Sequence, residues 1–449
     1  MIQKYTATFN KVSLWEDKRF CRTIDKKHEY SQYLRLGALL IYFKCVDLRA
    51  IVCLSLTLVI LLTGLLFVGN MNVGTVKGYN VTKGIITSDT TWTKANSPYN
   101  LTGNIAIDEG VTLTIESGVI VNLNAFYIQV NGTLIARGSS AERIHMNSGY
   151  IEFTETSTGW NLQTDTGSII EYAILDTRLG LGGGSPLISK NIITKSISVG
   201  GGSPIISKNS IEIPIGSDWL GRPSFPSVAI GIGNDNTALI VDNNILGCYD
   251  SAAITIGGGS PTIMRNLISN SYGYGYGDPG YGQAGISISE NSSPTIMQNT
   301  ITKNANGISI HNNPSPTITN NNIEDNTNYN LRIASSTQVN INAANNWWGT
   351  TDTAKIDEKI WDYNDSDDFN TGKVNYIPFL TESNPQAMPN QNAPIPTPAT
   401  SPLPSQNPTA TPATPQTGLN EIELAILTVL IVIAVLLIVI IGLVLRKRR

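Results

Sequence analysis

The sequence predicts an all-β solenoid of stacked parallel coils, with a hydrophobic helix toward each end of the chain, and three observations predict it. First, one structural unit is written twice in succession between Gly285 and Ile333: a Gly-Ile-Ser-Ile strand, a polar corner, a Ser-Pro-Thr-Ile strand, an asparagine and a further isoleucine. Ile286 and Ile308 are 22 residues apart, and Ile308 and Leu331 are 23 apart, a period in the range of solenoid repeats. Second, apolar residues alternate inside each strand, as at Ile286/Ile288, Ile308/Ile310 and Leu331/Ile333, so every second side chain points inward. A unit this short cannot enclose a core of its own, whereas stacked units share one.

The third observation is a recurring phrase. It stands at Ser185-Pro186-Leu187-Ile188, Ser203-Pro204-Ile205-Ile206, Ser260-Pro261-Thr262-Ile263, Ser293-Pro294-Thr295-Ile296 and Ser315-Pro316-Thr317-Ile318. Five residues after each proline comes an asparagine, namely Asn191, Asn209, Asn266, Asn299 and Asn321, and a degenerate copy from Thr237 to Ile240 keeps Asn243. Equivalent residues of parallel coils lie roughly 4.8 Å apart. The six asparagines are therefore expected to form a ladder of amide hydrogen bonds at a corner where Asn tolerates left-handed geometry. Their role is structural rather than catalytic.

With these motifs the chain resembles a right-handed parallel β-helix of the pectin-lyase-like class, close to NosD-type and carbohydrate-binding or sugar-hydrolase β-helix proteins of the cell surface, archaeal in type. Two further stretches carry the resemblance: Gly110-Val111-Thr112-Leu113-Thr114-Ile115-Glu116-Ser117-Gly118-Val119 and Asn345-Asn346-Trp347-Trp348-Gly349-Thr350. It covers residues 84–381 and is specific for fold, while function has to be argued from a site.

The elements follow in order. Residues 1–49 hold ten Lys/Arg against five Asp/Glu and read as a basic cytoplasmic leader or as sequence upstream of the true start. Ala50 to Val68 is a run of nineteen residues without a charge, long enough to cross a bilayer, and reads as a signal peptide or a retained signal anchor. Residues 84–136 are expected to form the first coils, from the alternation at Val111/Leu113/Ile115, Val119/Val121/Leu123 and Ile128/Val130. A C-terminal cap is expected from Trp347-Trp348, with a short helix over Thr353 to Trp361 that turns Ile356 and Ile360 to one side; Trp347, Trp348 and Trp361 are then packing residues. Residues 382–418, with ten prolines, read as an extended stalk. Leu424 to Leu445, an uncharged run of 22 residues, followed by the basic residues 446–449, reads as a transmembrane helix with its stop-transfer signal.

This layout puts residues 75–418 outside the cell, and composition agrees with it. Leaving out the first 49 residues and the four basic residues at the end, 16 Lys/Arg face 29 Asp/Glu, a net charge of −13. Such a surface disfavours nucleic acid. Asn80, Asn100, Asn131, Asn291 and Asn364 stand in Asn-x-Ser/Thr sequences and are glycosylation candidates. Cys21, Cys45 and Cys53 precede or lie within the first hydrophobic run, which leaves Cys248 alone in the ectodomain. A buried thiol is expected there, and stability without an intramolecular disulfide.

Chemistry-bearing motifs are few. The NosD resemblance suggests copper, yet His145, His311, Cys248 and scattered Met form no imidazole or thiolate cluster, so no metal ligand is assigned. Asp362, Asn364, Ser366 and Asp368 alternate as in a calcium loop, but Asp367 stands where Gly is expected and Lys373 where Glu is expected. The sequence shows none of the polygalacturonase signatures, no nucleophile elbow, no zinc-protease motif and no phosphate loop, so no catalytic residue is assigned.

Two insertions, Pro214 to Ser227 and Ser271 to Gln283, enlarge the same corner of coils separated by one uninserted coil, and such insertions map to one face of a solenoid. They carry Trp219 and Tyr272, Tyr274, Tyr276 and Tyr281, with Tyr249 and Asp250 on the coil between them. Aromatic faces beside a carboxylate suit a sugar ring. The expected function is a membrane-anchored module that binds a polysaccharide or another envelope component or builds the envelope. The alternative is a polysaccharide lyase, hydrolase or epimerase on the same scaffold, which a carboxylate beside Lys or Arg on one face would favour.

Overall fold

The computed structural model describes residues 78–396, apart from 215, 218–222, 225–227, 234, 249–250, 273–282, 290–291 and 336. The leader, the hydrophobic runs at 50–68 and 424–445, the basic tail and the proline-rich segment from 397 on lie outside the described residues. Among the described residues no helix is long and apolar enough to cross a membrane.

Each coil contributes short strands to three faces, and every face grows by parallel pairing with the next coil. Inward side chains stack in columns. On the first face the column runs Leu175, Ile193, Ile211, Ile245, Ile268, Ile301, Ile323. On the second it runs Ile128, Ile151, Leu179, Ile197, Ile230, Ile254, Ile286, Ile308, Leu331, Ile360. On the third it runs Ile188, Ile206, Ile240, Ile263, Ile296, Ile318. Nearly all of these side chains are inaccessible to water, and each contributes roughly 1.5–3 kcal/mol of burial. The first and second faces join into one sheet because the long strands Ile144–Phe153 and Ala173–Gly182 run round the corner between them, the pair shifting register between Asn147 and Tyr150.

The corner after the third face explains the repeated asparagine. The residue before it is left-handed in coil after coil: Lys190, Lys208, Asp242, Arg265, Gln298, Asn320 and Asn345 have φ between 52° and 61°, a conformation that costs L-residues roughly 1–2 kcal/mol. The buried asparagine that follows offsets this. Its Oδ1 accepts the backbone N–H of the asparagine one coil earlier at 2.9 Å, from Asn191–Asn209 through Asn321–Asn346. Its Nδ2 donates to the carbonyl of the inward isoleucine on the preceding coil, as from Asn266 to Ile240 at 2.9 Å. Asn346 is a seventh rung that the phrase spacing does not reveal. A second, shorter series at another corner joins Ser271, Asn304 and Asn326 in the same way.

The ends differ from expectation in three places. The stack begins with Tyr79–Val81, before residue 84, and the first coils pack Trp92 against Tyr99 with ring centroids 4.9 Å apart. The cap helix covers only Thr353–Asp357, with Asp352 accepting from the Ala354 N–H. Ile360–Trp361 leaves the helix to pair with the Leu331 strand as the last strand of the second face, because Ile360 extends the inward column there. Trp348 is buried beside Tyr376, ring centroids 6.4 Å apart.

The proline-rich segment, expected as an extended stalk from residue 382, does not leave the body at its start. Residues 384–391 run back along the outside of the body instead of leaving it. Asn384 exchanges hydrogen bonds with Asn322 and donates Nδ2 to the Asn320 carbonyl at 2.7 Å. Thr300 donates to the Ala387 carbonyl at 2.6 Å, the Asn390 N–H donates to Asp242 Oδ1 at 2.9 Å, and Gln391 donates to the Asp242 carbonyl at 3.1 Å. Ala387 is fully buried. Proline content marks the whole segment as extended, but its first Asn and Gln side chains match the polar corner of the coils.

Candidate functional site

The second face carries the features a ligand would meet. Between each inward residue and the next, one side chain points out, and in register these are Gln129, Glu152, Gly180, Ser198, Gly231, Thr255, Ser287, Ser309, Arg332 and Trp361. Six consecutive positions, Gly180 to Ser309, are glycine, serine or threonine, and beside them run Gly182, Gly200, Gly233, Gly257 and Ser289; Gly180 and Ser309 at the ends are buried, and the positions from Ser198 to Ser287 reach solvent. At about 4.8 Å per coil the accessible part of the strip, from Ser198 to Ser287, is roughly 14 Å long.

Both ends of the strip are chemically distinct. At one end Tyr150 donates its hydroxyl to Glu152 Oε2. The two side chains lean over the next coil, where a Cβ on Gly180 would collide with both and one on Gly182 with the carboxylate. Burial pushes the Glu152 carboxyl above its ordinary value, and exposed Arg178 lies opposite Tyr150 on the neighbouring strand. At the other end the Arg332 guanidinium lies 5.0 Å from the Trp361 ring centroid. There a cleft of about 450 Å³ opens between Asn328, Tyr329, Arg332, Glu358 and Trp361.

The two insertions border this face. Their described roots, Ile213–Pro214 with Val228 and Tyr272 with Gln283, join strands of the first face to the Ile230–Ile232 and Ala284–Ile288 strands of the second. Tyr272 is 51% exposed, and its N–H donates to the Cys248 carbonyl at 3.0 Å. Trp219, Tyr249, Asp250, Tyr274, Tyr276 and Tyr281 lie outside the described residues. Cys248 is buried, which pushes its thiol up to about 11, so it is no nucleophile at neutral pH.

The acidic loop spends its oxygens on its own backbone. Asp362 accepts from the N–H groups of Asn364 and Val374 at 2.9 and 2.8 Å, and Ser366 Oγ and Asp368 Oδ1 accept from Asp368 and Asn370. Among the described residues no group of three or more His, Cys, Asp or Glu is placed to hold a metal ion. Of the sequon asparagines, Asn80 and Asn364 are exposed, while Asn100 accepts from Asn122, and Asn131 from Gln129 and Thr154. Asn291 lies outside the described residues.

Sequence reasoning missed Tyr150, Glu152, Arg178 and the small-residue strip. The signal was present in the outward positions of the alternation, but it becomes visible only once coils are set in register. Trp361, read as a packing residue, packs against the Arg332 guanidinium and also lines the cleft.

A family model described as the right handed beta helix region matches residues 179–347. With the parallel stacking of all three faces, the described residues form a parallel β-helix repeat. No curated protein and no solved structure matches it.

Proposed function

We propose that this β-helix is a glycan-binding or structural module of the cell envelope, held at the surface by a C-terminal membrane anchor and presented on a proline-rich linker. One observation carries the reading: a smooth strip of glycine, serine and threonine along one sheet face, bordered by the roots of two long insertions and ended by aromatic and charged side chains. A linear sugar polymer needs a flat floor for its rings, and hydroxyl or aromatic partners at the sides. The insertions supply Trp219 and Tyr272, Tyr274, Tyr276 and Tyr281 as candidate walls, and the coil between them carries Tyr249 and Asp250. The test is a glycan array probed with the detergent-solubilised full chain. Binding to one class of linear glycan is expected, weakened about tenfold or more by Trp219→Ala with Tyr276→Ala, and loss of all glycan binding from the wild type refutes it.

A second reading, a polysaccharide lyase, hydrolase or epimerase, is favoured by the Tyr150–Glu152 pair with Arg178 alongside. A half-buried carboxyl with a raised pKa is suited to proton transfer. If the face is catalytic, wild-type protein shortens or modifies the bound glycan and Glu152→Gln abolishes turnover while retaining binding. A bound glycan recovered unchanged after prolonged incubation excludes this reading.

A further inference from the structure

The cleft at the C-terminal end of the second face has its walls fixed before any ligand arrives. Lys359 Nζ donates to the carbonyls of Asn326, Thr327 and Asn328 at 2.9–3.1 Å, which holds the corner that leads into Tyr329. Trp361 is positioned from the other side, paired in register with Arg332 and covered by its guanidinium. Glu358 ends the short cap helix at the rim and is exposed. A volume of about 450 Å³ falls within the range of small-molecule sites, roughly 300–1,000 Å³.

The chemistry of this set is that of a polyol with an apolar face. Two aromatic rings offer surface to C–H groups, and the Glu358 carboxylate accepts hydrogen bonds from hydroxyls. The guanidinium is already stacked on Trp361, and the carboxylate at the rim, on an ectodomain (residues 75–418) of net charge −11, repels a carboxylated sugar. Ser309 and Arg332, between the exposed part of the strip and the cleft, are buried, so the cleft is a separate site at the end of the same face. We infer that this cleft binds a neutral pyranose residue at the C-terminal end of the face, an inference that rests on the glycan-binding reading above.

The test titrates the detergent-solubilised full chain with neutral oligosaccharides (β-1,4-linked glucose, mannose and xylose oligomers) and with oligogalacturonates, by calorimetry. Wild type is expected to bind a neutral series with affinity rising with length. Trp361→Phe is expected to lower that affinity severalfold, and Trp361→Ala tenfold or more. Glu358→Gln, at an exposed position where folding is not at stake, is expected to lower it severalfold. Neutral-glycan binding unchanged in both Trp361→Ala and Glu358→Gln overturns the cleft site while leaving the glycan-binding reading intact. Preference for oligogalacturonate overturns the neutral assignment, and binding of no glycan by the wild type overturns both readings.

Discussion

Asp242→Asn perturbs the point where the left-handed corner, the coil stack and the docked C-terminal segment meet. The Asp242 side chain is inaccessible to water, and Arg265 donates to it from Nε at 2.9 Å and from a terminal nitrogen at 2.8 Å. A third bond comes from the Asn390 N–H at 2.9 Å. Asparagine keeps the shape and tolerates the φ of 58° at this position, so the substitution removes the charge and one of the two acceptor oxygens, setting an NH2 against an N–H donor. Breaking a buried ion pair costs roughly 3–5 kcal/mol. Arg265 keeps 18% of its side chain exposed and can turn to water, which lowers the expected loss to about 2–3 kcal/mol. In a stack where each coil touches only its neighbours, that loss stays local. Hydrogen exchange read by mass spectrometry is expected to speed up about thirtyfold or more in peptides covering 384–391, at 1.4 kcal/mol per tenfold. Peptides from the first coils, residues 99–136, should not change. Unaltered exchange at 384–391 would mean that this segment is not held through Asp242.

Further outcomes follow from the same geometry. Ile308→Asn places a carboxamide between Ile286 and Leu331 in a dry column and should cost about 2–4 kcal/mol, read by denaturant unfolding; a neutral result would put Ile308 on the outside. Cys248, buried with its thiol pushed up to about 11, should resist maleimide in the native protein at pH 7 and react after unfolding. If the protein is N-glycosylated, peptide mapping should find modification at exposed Asn80 and Asn364 and little at Asn100, whose carboxamide accepts from Asn122 and lies against Gly78.

The fold was legible because a parallel solenoid repeats its core-facing residues at fixed intervals, so Ile286, Ile308 and Leu331 announce one column without help from distant sequence. The phrase ending in Asn191, Asn209 and their equivalents was legible for the same reason. What the sequence concealed is whatever depends on register between coils. Glu152 and Gly180 are 28 residues apart and become neighbours only through the shift between Asn147 and Tyr150. Left-handed corners occupied by Lys190, Lys208, Arg265 and Gln298 carry no compositional mark, because the conformation is held by the asparagine that follows. The docking of 384–391 was hidden by prolines whose average character is that of a linker, while Asn384, Asn390 and Gln391 determine where the segment binds.

On the glycan-binding reading, a glycan lies on the smooth outward strip of the second face. Ser287→Arg and Thr255→Arg test it most directly, since both positions point outward from strands whose flanking isoleucines fill the core. A long side chain there obstructs the strip and leaves packing alone, so unfolding should change by no more than about 0.5 kcal/mol. Each substitution is expected to lower glycan affinity of the full chain, measured by calorimetry, at least tenfold without shifting the melting curve. Glycan affinity equal to wild type in both variants would contradict it.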